Sequence, residues 1–159
     1  MQKTNVMRIL DKAKIPYSSL CYEVDESDLS GVHIAACTGM DPAIVFKTLV
    51  AKGDKTGFLV FCIPCDREVD LKKAAKASQN KKVEFLHLKD LLPTTGYIRG
   101  GCSPIGMKKK FPTYIHNTAL LFDKISVSGG QRGTQVVLSP KDLCDFIGAE
   151  FCDCVAESN

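Results

Sequence analysis

Ile44-Val45-Phe46-Lys47-Thr48-Leu49-Val50-Ala51, then Lys52-Gly53-Asp54-Lys55-Thr56-Gly57, then Phe58-Leu59-Val60-Phe61-Cys62-Ile63 is the stretch that decides the fold. Two apolar runs of strand length flank a polar, glycine-bearing loop, which predicts adjacent antiparallel strands. Side chains alternate across a strand, so Val45, Lys47 and Leu49 share one face, and Ile44, Phe46, Thr48 and Val50 the other. Both faces are apolar, as in a strand buried on both sides. A lysine there is out of place, since lysines are almost never fully buried without a partner. Two readings stand: an ammonium that snorkels out at a strand end or sheet edge, or a cation held inside a cleft by an anion.

Upstream, Thr4 can cap a helix running to about Lys14, with Val6, Ile9, Leu10 and Ala13 on its apolar face. Residues 17–23 read as a strand, 25–30 as a polar loop, and 32–38 as a short helix ended by Gly39. Downstream, Asp70 can cap a helix over 71–78, followed by a strand at 83–86 and a short helix at 87–92 stopped by Pro93. Residues 94–112, rich in Gly, Pro and Lys, form the longest irregular region. Strands are expected at 113–116, 124–128 and 134–138, and Ser139-Pro140 opens a last helix through Ile147 with Gly148 ending it. Without repeat, linker or low-complexity tract, the 159 residues read as one α/β (α+β) domain, not a regular doubly wound sheet.

Composition bounds the function. Hydrophobic residues make up 45% and charged residues 25%, as in an ordinary globular protein, and the net charge of +3 gives only mild attraction to polyanions. No apolar run is long enough for a membrane helix, and the charged N-terminus lacks a signal-peptide core, so the expected location is cytoplasmic, away from membranes. In that compartment the eight cysteines read mostly as small, reduced, buried hydrophobes. Cys62-Ile63-Pro64-Cys65 has redox-pair spacing, but Cys62 belongs to a strand-like run, not the helix N-terminus that would lower a thiol pKa. It lacks the second pair or nearby His that zinc would need, so neither metal nor cofactor is expected.

Two loops could carry chemistry. Gly100-Gly101-Cys102-Ser103-Pro104-Ile105-Gly106 and Ser128-Gly129-Gly130-Gln131-Arg132-Gly133 each allow a backbone to approach a ligand and turn amides toward it. Each also reads as an ordinary turn or hairpin loop. Lys108, Lys109 and Lys110 follow the first loop, either as a solvated surface or as phosphate contacts for a nucleic acid. There is no G-x-S-x-G, H-E-x-x-H or P-loop, so an enzyme of this sequence would rely on positioning and electrostatics.

Taken in order, Val45-Phe46-Lys47-Thr48-Leu49, Asp70-Leu71-Lys72-Lys73, Thr95-Gly96-Tyr97, the loop from Gly100 to Gly106, and Ile125-Ser126-Val127-Ser128-Gly129-Gly130 closely resemble the YbaK/EbsC family. These free-standing Cys-tRNA(Pro) deacylases are related to the editing domain of bacterial prolyl-tRNA synthetases. The resemblance implies a compact domain with a mixed, mostly antiparallel curved sheet flanked by helices. It implies removal of mischarged cysteine from the acceptor end of tRNA(Pro), with prolyl-tRNA synthetase as a possible partner. In the family picture the substrate's own thiol attacks its ester. Removal of alanine by water, or a non-catalytic binding module, are the alternatives. By motif, Lys47, Gly100 and Gly101 would be catalytic. Tyr22, Ser103, Ser128, Gly129 and Gly130 would bind the substrate, and Lys108, Lys109, Lys110 and Arg132 the tRNA. The chain departs from the family pattern at Gln135, where an Asp is frequent, and at Cys102, where an aliphatic residue is usual.

Overall fold

The computed structural model describes residues 2–157. In chain order the elements are α1 (Asn5–Lys12), β1 (Tyr17–Cys21), α2 (Gly31–Thr38), β2 (Phe46–Gly53), β3 (Gly57–Pro64), α3 (Leu71–Ser78), β4 (Val83–Phe85), α4 (Leu91–Thr95), β5 (Thr113–His116), β6 (Ile125–Ser128), β7 (Thr134–Leu138), α5 (Pro140–Ile147) and β8 (Glu150–Cys152). The expected caps form: Thr4, Ser139 and Asp70 accept from the first-turn amides of their helices, and Gly39 and Gly148 close theirs in the left-handed conformation. Pro93 does not stop a helix. A 3₁₀ turn at Leu88–Asp90 ends first, so Pro93 falls within the opening turn of α4, where its missing N–H has no intrahelical role.

The strands form two sheets. One has the order β4-β2-β3-β5-β8, antiparallel across β4, β2 and β3, and parallel from β3 to β5 and from β5 to β8. The other is an antiparallel trio, β1-β7-β6. A parallel bridge between Val45 and Ser126 joins them. β3 is the centre, and its alternation builds two cores. Val60 and Cys62 face α1, α5 and the trio, meeting Leu10, Val127 and Leu143, while Leu59, Phe61 and Ile63 face α3 and meet Ala74 and Val83. The expectation that the Lys47 strand is buried on both faces fails at its centre, where Lys47, Thr48 and Leu49 are only half-buried, whereas β3 is buried on both faces.

β2 is completed differently on its two edges. Along β3 the ladder is continuous from Phe46–Pro64 to Gly53–Gly57. On its other edge β2 pairs with β4 only from Ala51 to Gly53, and meets β6 only at the Val45 bridge. Between those points no strand lies against it.

Phe61 is fully buried and stacks on Tyr114, with ring centroids 5.5 Å apart. Phe61→Ala is expected to lower the unfolding free energy by about 3–5 kcal/mol, the usual cost of emptying such a site. Chemical denaturation of the two proteins measures it.

Candidate active site

The gap beside β2 opens into a cavity of about 430 Å³. Residues 45–50 run along its floor, one flank is Ser128 and Gln135 of the trio, and Gly100 and Cys102 approach from the long loop. Val45 pairs in parallel with Ser126, and beyond that bridge Lys47 and Ser128, each two residues further along its strand, both line the cavity. Residues 81 positions apart thus meet across one space. Phe85, Leu86, Leu88 and Leu91 make the far wall apolar.

Lys47 is neither fully buried nor free. Its side chain keeps 24% exposure, and its ammonium lies 3.5 Å from the carboxylate of Glu68, itself 81% exposed. A pair so open to water is weak, so the cation remains available to a ligand. Arg99 is the second cation of the lining, and no Asp or Glu is among the described residues that form it. Gln135, 2% exposed, stands in the wall with its Oε1 accepting from Ser126 Oγ at 2.8 Å.

The two glycine loops pack on each other. An added Cβ on Gly101 would lie 3.1 Å from the Arg132 nitrogen and from Gln131 Cα, so a side chain there would push the two backbones apart by a few tenths of an ångström. Arg132 Nε donates to the Arg99 carbonyl at 2.8 Å and fastens the contact. Much of the expected amide cradle is therefore committed. Gly101 N–H donates to Ile98, Gly129 N–H to Thr134, and Gly130 N–H to Ser128 Oγ.

Of the residues expected from sequence, Lys47, Gly100 and Ser128 line the cavity, whereas Gly101, Gly129 and Gly130 stand behind the lining and shape the loops. Tyr22 packs on the cluster of Ile34, Ala35, Val45 and Cys65, three of which face the cavity. Ser103 is fully buried and its hydroxyl accepts from Ile105 N–H, so it holds the loop together instead of reaching a ligand. Lys108, Lys109 and Lys110 are exposed outside the cavity lining. Lys108 reaches back to the Pro93 carbonyl, and the Lys110 ammonium lies against Gly148 at the C-terminus of α5, a favourable place for a cation. Thr48, Ser30 and Gly31 also line the cavity and escaped the sequence reading. The cue for Thr48 was its place beside Lys47, but its importance depends on which strand edge is unpaired.

The cysteines divide. Cys62, Cys65, Cys144 and Cys154 are buried, Cys102 and Cys152 partly so, and Cys21 and Cys37 exposed, so burial describes half of them and not most. Burial pushes the Cys62 thiol up to about 12 and Cys65 to about 11. Cys102 is likewise raised to about 12, mainly by burial. Among the described residues no group of three or more His, Cys, Asp or Glu is placed to hold a metal ion, and no helix is long and apolar enough to cross a membrane.

This architecture and site define an aminoacyl-tRNA editing domain, and the chain belongs to that family, whose pattern it matches over residues 32–146. Among its relatives is EbsC of Enterococcus faecalis (strain ATCC 700802 / V583), named as a candidate Cys-tRNA(Pro)/Cys-tRNA(Cys) deacylase. The two are 51% identical over 152 residues, covering 96% of this chain and 93% of EbsC. A solved structure described as a candidate trans-editing enzyme for prolyl-tRNA synthetase superposes with a TM-score of 0.81 at 21% identity, covering 99% of this chain and all of the other. The hypothetical protein APE2540 superposes with a TM-score of 0.87 at 19% identity, covering 96% and 100%. At such identities these two structures speak for the fold.

Raised thiol pKa values mean that thiolate forms only as the pH climbs well above neutrality, and thiolate is the reactive form. Treated with a chromogenic disulfide at pH 8, the native protein should leave Cys62, Cys65 and Cys102 unmodified. The same three should react promptly once the chain is unfolded. Mass mapping of the labelled cysteines reads this directly.

Proposed function

We propose that the protein is a trans-editing deacylase that removes cysteine from Cys-tRNA(Pro). The observation that carries this reading is that Lys47 and Ser128 line one cavity whose described residues include no activated protein nucleophile. The two lining thiols, Cys65 and Cys102, are held protonated by burial, and no histidine is among the described residues that line the space. A cavity of this kind can bind and polarise an ester but must obtain its nucleophile elsewhere.

Cysteine carries one. Its thiol loses a proton to water and its sulfur attacks the aminoacyl carbonyl carbon, forming a C–S bond. Collapse of the tetrahedral anion breaks the C–O bond to the terminal ribose. The departing oxygen regains a proton, leaving intact tRNA and a cyclic thioester. Lys47 holds the negatively charged tRNA terminus or the developing charge, Ser128 offers a hydroxyl across the cavity, and Arg99 adds a second positive charge. The relative named for Cys-tRNA(Pro) and Cys-tRNA(Cys) supports cysteine as the amino acid. Such discrimination is needed because a synthetase pocket separates near-isosteres poorly. Prolyl-tRNA synthetase is the natural partner to hand over the mischarged tRNA, and Lys108, Lys109, Lys110 and Arg132 are offered as outer contacts along the acceptor stem.

The test is to follow ester loss from tRNA(Pro) charged with cysteine, alanine or proline. Cysteine should be lost rapidly, proline hardly at all, and Lys47→Ala should remove nearly all activity, by roughly 10²-fold or more if the ammonium stabilises charge in the transition state. Unchanged lifetimes for all three esters with the wild-type protein would sink the enzyme reading. Full activity in Lys47→Ala would remove that residue's role.

A further inference from the structure

Hydrogen bonds to the neighbours of β2 fix the direction of each main-chain group along it. Cys65 N–H donates to the Val45 carbonyl at 2.8 Å, so Val45 turns toward β3. Leu86 N–H donates to the Val50 carbonyl at 3.0 Å, and Ser126 N–H to the Ile44 carbonyl at 2.8 Å, so the even-numbered residues turn the other way. In an extended strand this direction alternates strictly. The N–H and C=O of Thr48 must therefore point away from β3, into the interval where neither β4 nor β6 pairs with β2. That interval is the cavity, and Thr48 is part of its floor. A main-chain donor and acceptor left without a partner strand at the base of a partly apolar cavity is unusual, since nearly all buried backbone groups are paired.

We infer that this short open strand edge is the seat of the aminoacyl group, with Thr48 N–H donating to the ester carbonyl oxygen and Thr48 C=O accepting from the α-ammonium. The inference rests on the deacylase reading above and adds the groups that recognise the amino acid. Two features of the cavity favour it. The amides of Gly101, Gly129 and Gly130 are already occupied, so they cannot serve the carbonyl oxygen. Among the described residues the lining has two cations and no Asp or Glu, so an entering ammonium is met there by neutral oxygens, and the Thr48 carbonyl is one of them. An aminoacyl ester has the donor and acceptor pattern of one residue of an extended chain, and it would dock as a one-residue strand. When the nucleophile attacks, the carbonyl π pair moves onto oxygen, and the Thr48 N–H then faces a full negative charge. The side chain is not the working part, because its hydroxyl lies only 3.9 Å from Cys62 Sγ within the sheet.

The deciding experiment replaces the Thr48 amide nitrogen by oxygen, using the α-hydroxy acid analogue of threonine incorporated by cell-free translation into the full chain. Loss of one preorganised donor to an oxyanion lowers turnover by roughly 10²–10³-fold. The α-hydroxy variant should show that fall in kcat on Cys-tRNA(Pro) with a nearly unchanged KM. Thermal unfolding of this variant beside the wild type tests whether the sheet survives the change. An α-hydroxy variant with wild-type kcat overturns the inference while leaving the deacylase reading intact. A second measurement needs no turnover: binding of a non-cleavable amide-linked cysteinyl-adenosine against its analogue lacking the amino group. The amino group should tighten binding about tenfold, and equal affinities would overturn the assignment of the Thr48 carbonyl. If the wild-type protein cleaves no ester yet retains that tenfold preference, the deacylase reading falls and the strand-edge site stands.

Discussion

A strand inside a sheet needs hydrogen-bonding neighbours on both sides, and β2 lacks one for part of its length. The trio of β1, β7 and β6 touches it at Val45 and then diverges, while β4 joins it only from Ala51. The cavity is the space left by that divergence. Continuous pairing along this edge would close the sheet and bury Lys47 with no room for a ligand. The rest of the fold holds the interval open. α3 supports one face of β3, α1 and α5 support the other, and the two glycine loops pack on each other at the cavity's side.

How much of this could be read from residues depends on the range of the interaction. Helix caps at Thr4, Asp70 and Ser139 are local, and so were visible. The β2–β3 hairpin was visible from its composition, although β2 begins at Phe46 and not at Ile44. β8 was missed, because Glu150-Phe151-Cys152 is a three-residue edge with no alternation to mark it, formed only because α5 returns the chain beside β5. The division into two sheets was also missed, as it depends on the bridge between Val45 and Ser126, far apart in sequence.

The site shows the same division. Lys47, Gly100 and Ser128 were found because a lysine among apolar residues and glycines in clusters are conspicuous. Thr48 was not, because a main-chain group has no letter in a sequence. Nor could composition distinguish a glycine that presents its amide to a ligand from one that simply allows two backbones to touch. Gly101 is of the second kind, and the Arg132–Arg99 bond next to it shows what that contact achieves.

The pairing of Lys47 with Glu68 has a consequence for how an anion enters. A lysine that has been balanced only by loosely held ions from solution releases them on binding a phosphate, and affinity then falls steeply with salt. Lys47 already carries a carboxylate as its resident counter-ion. An arriving anion exchanges places with Glu68, which swings into water at little cost because it is almost wholly exposed. Fewer ions are set free by this contact, so the site trades some electrostatic pull for an ammonium kept in position between visits.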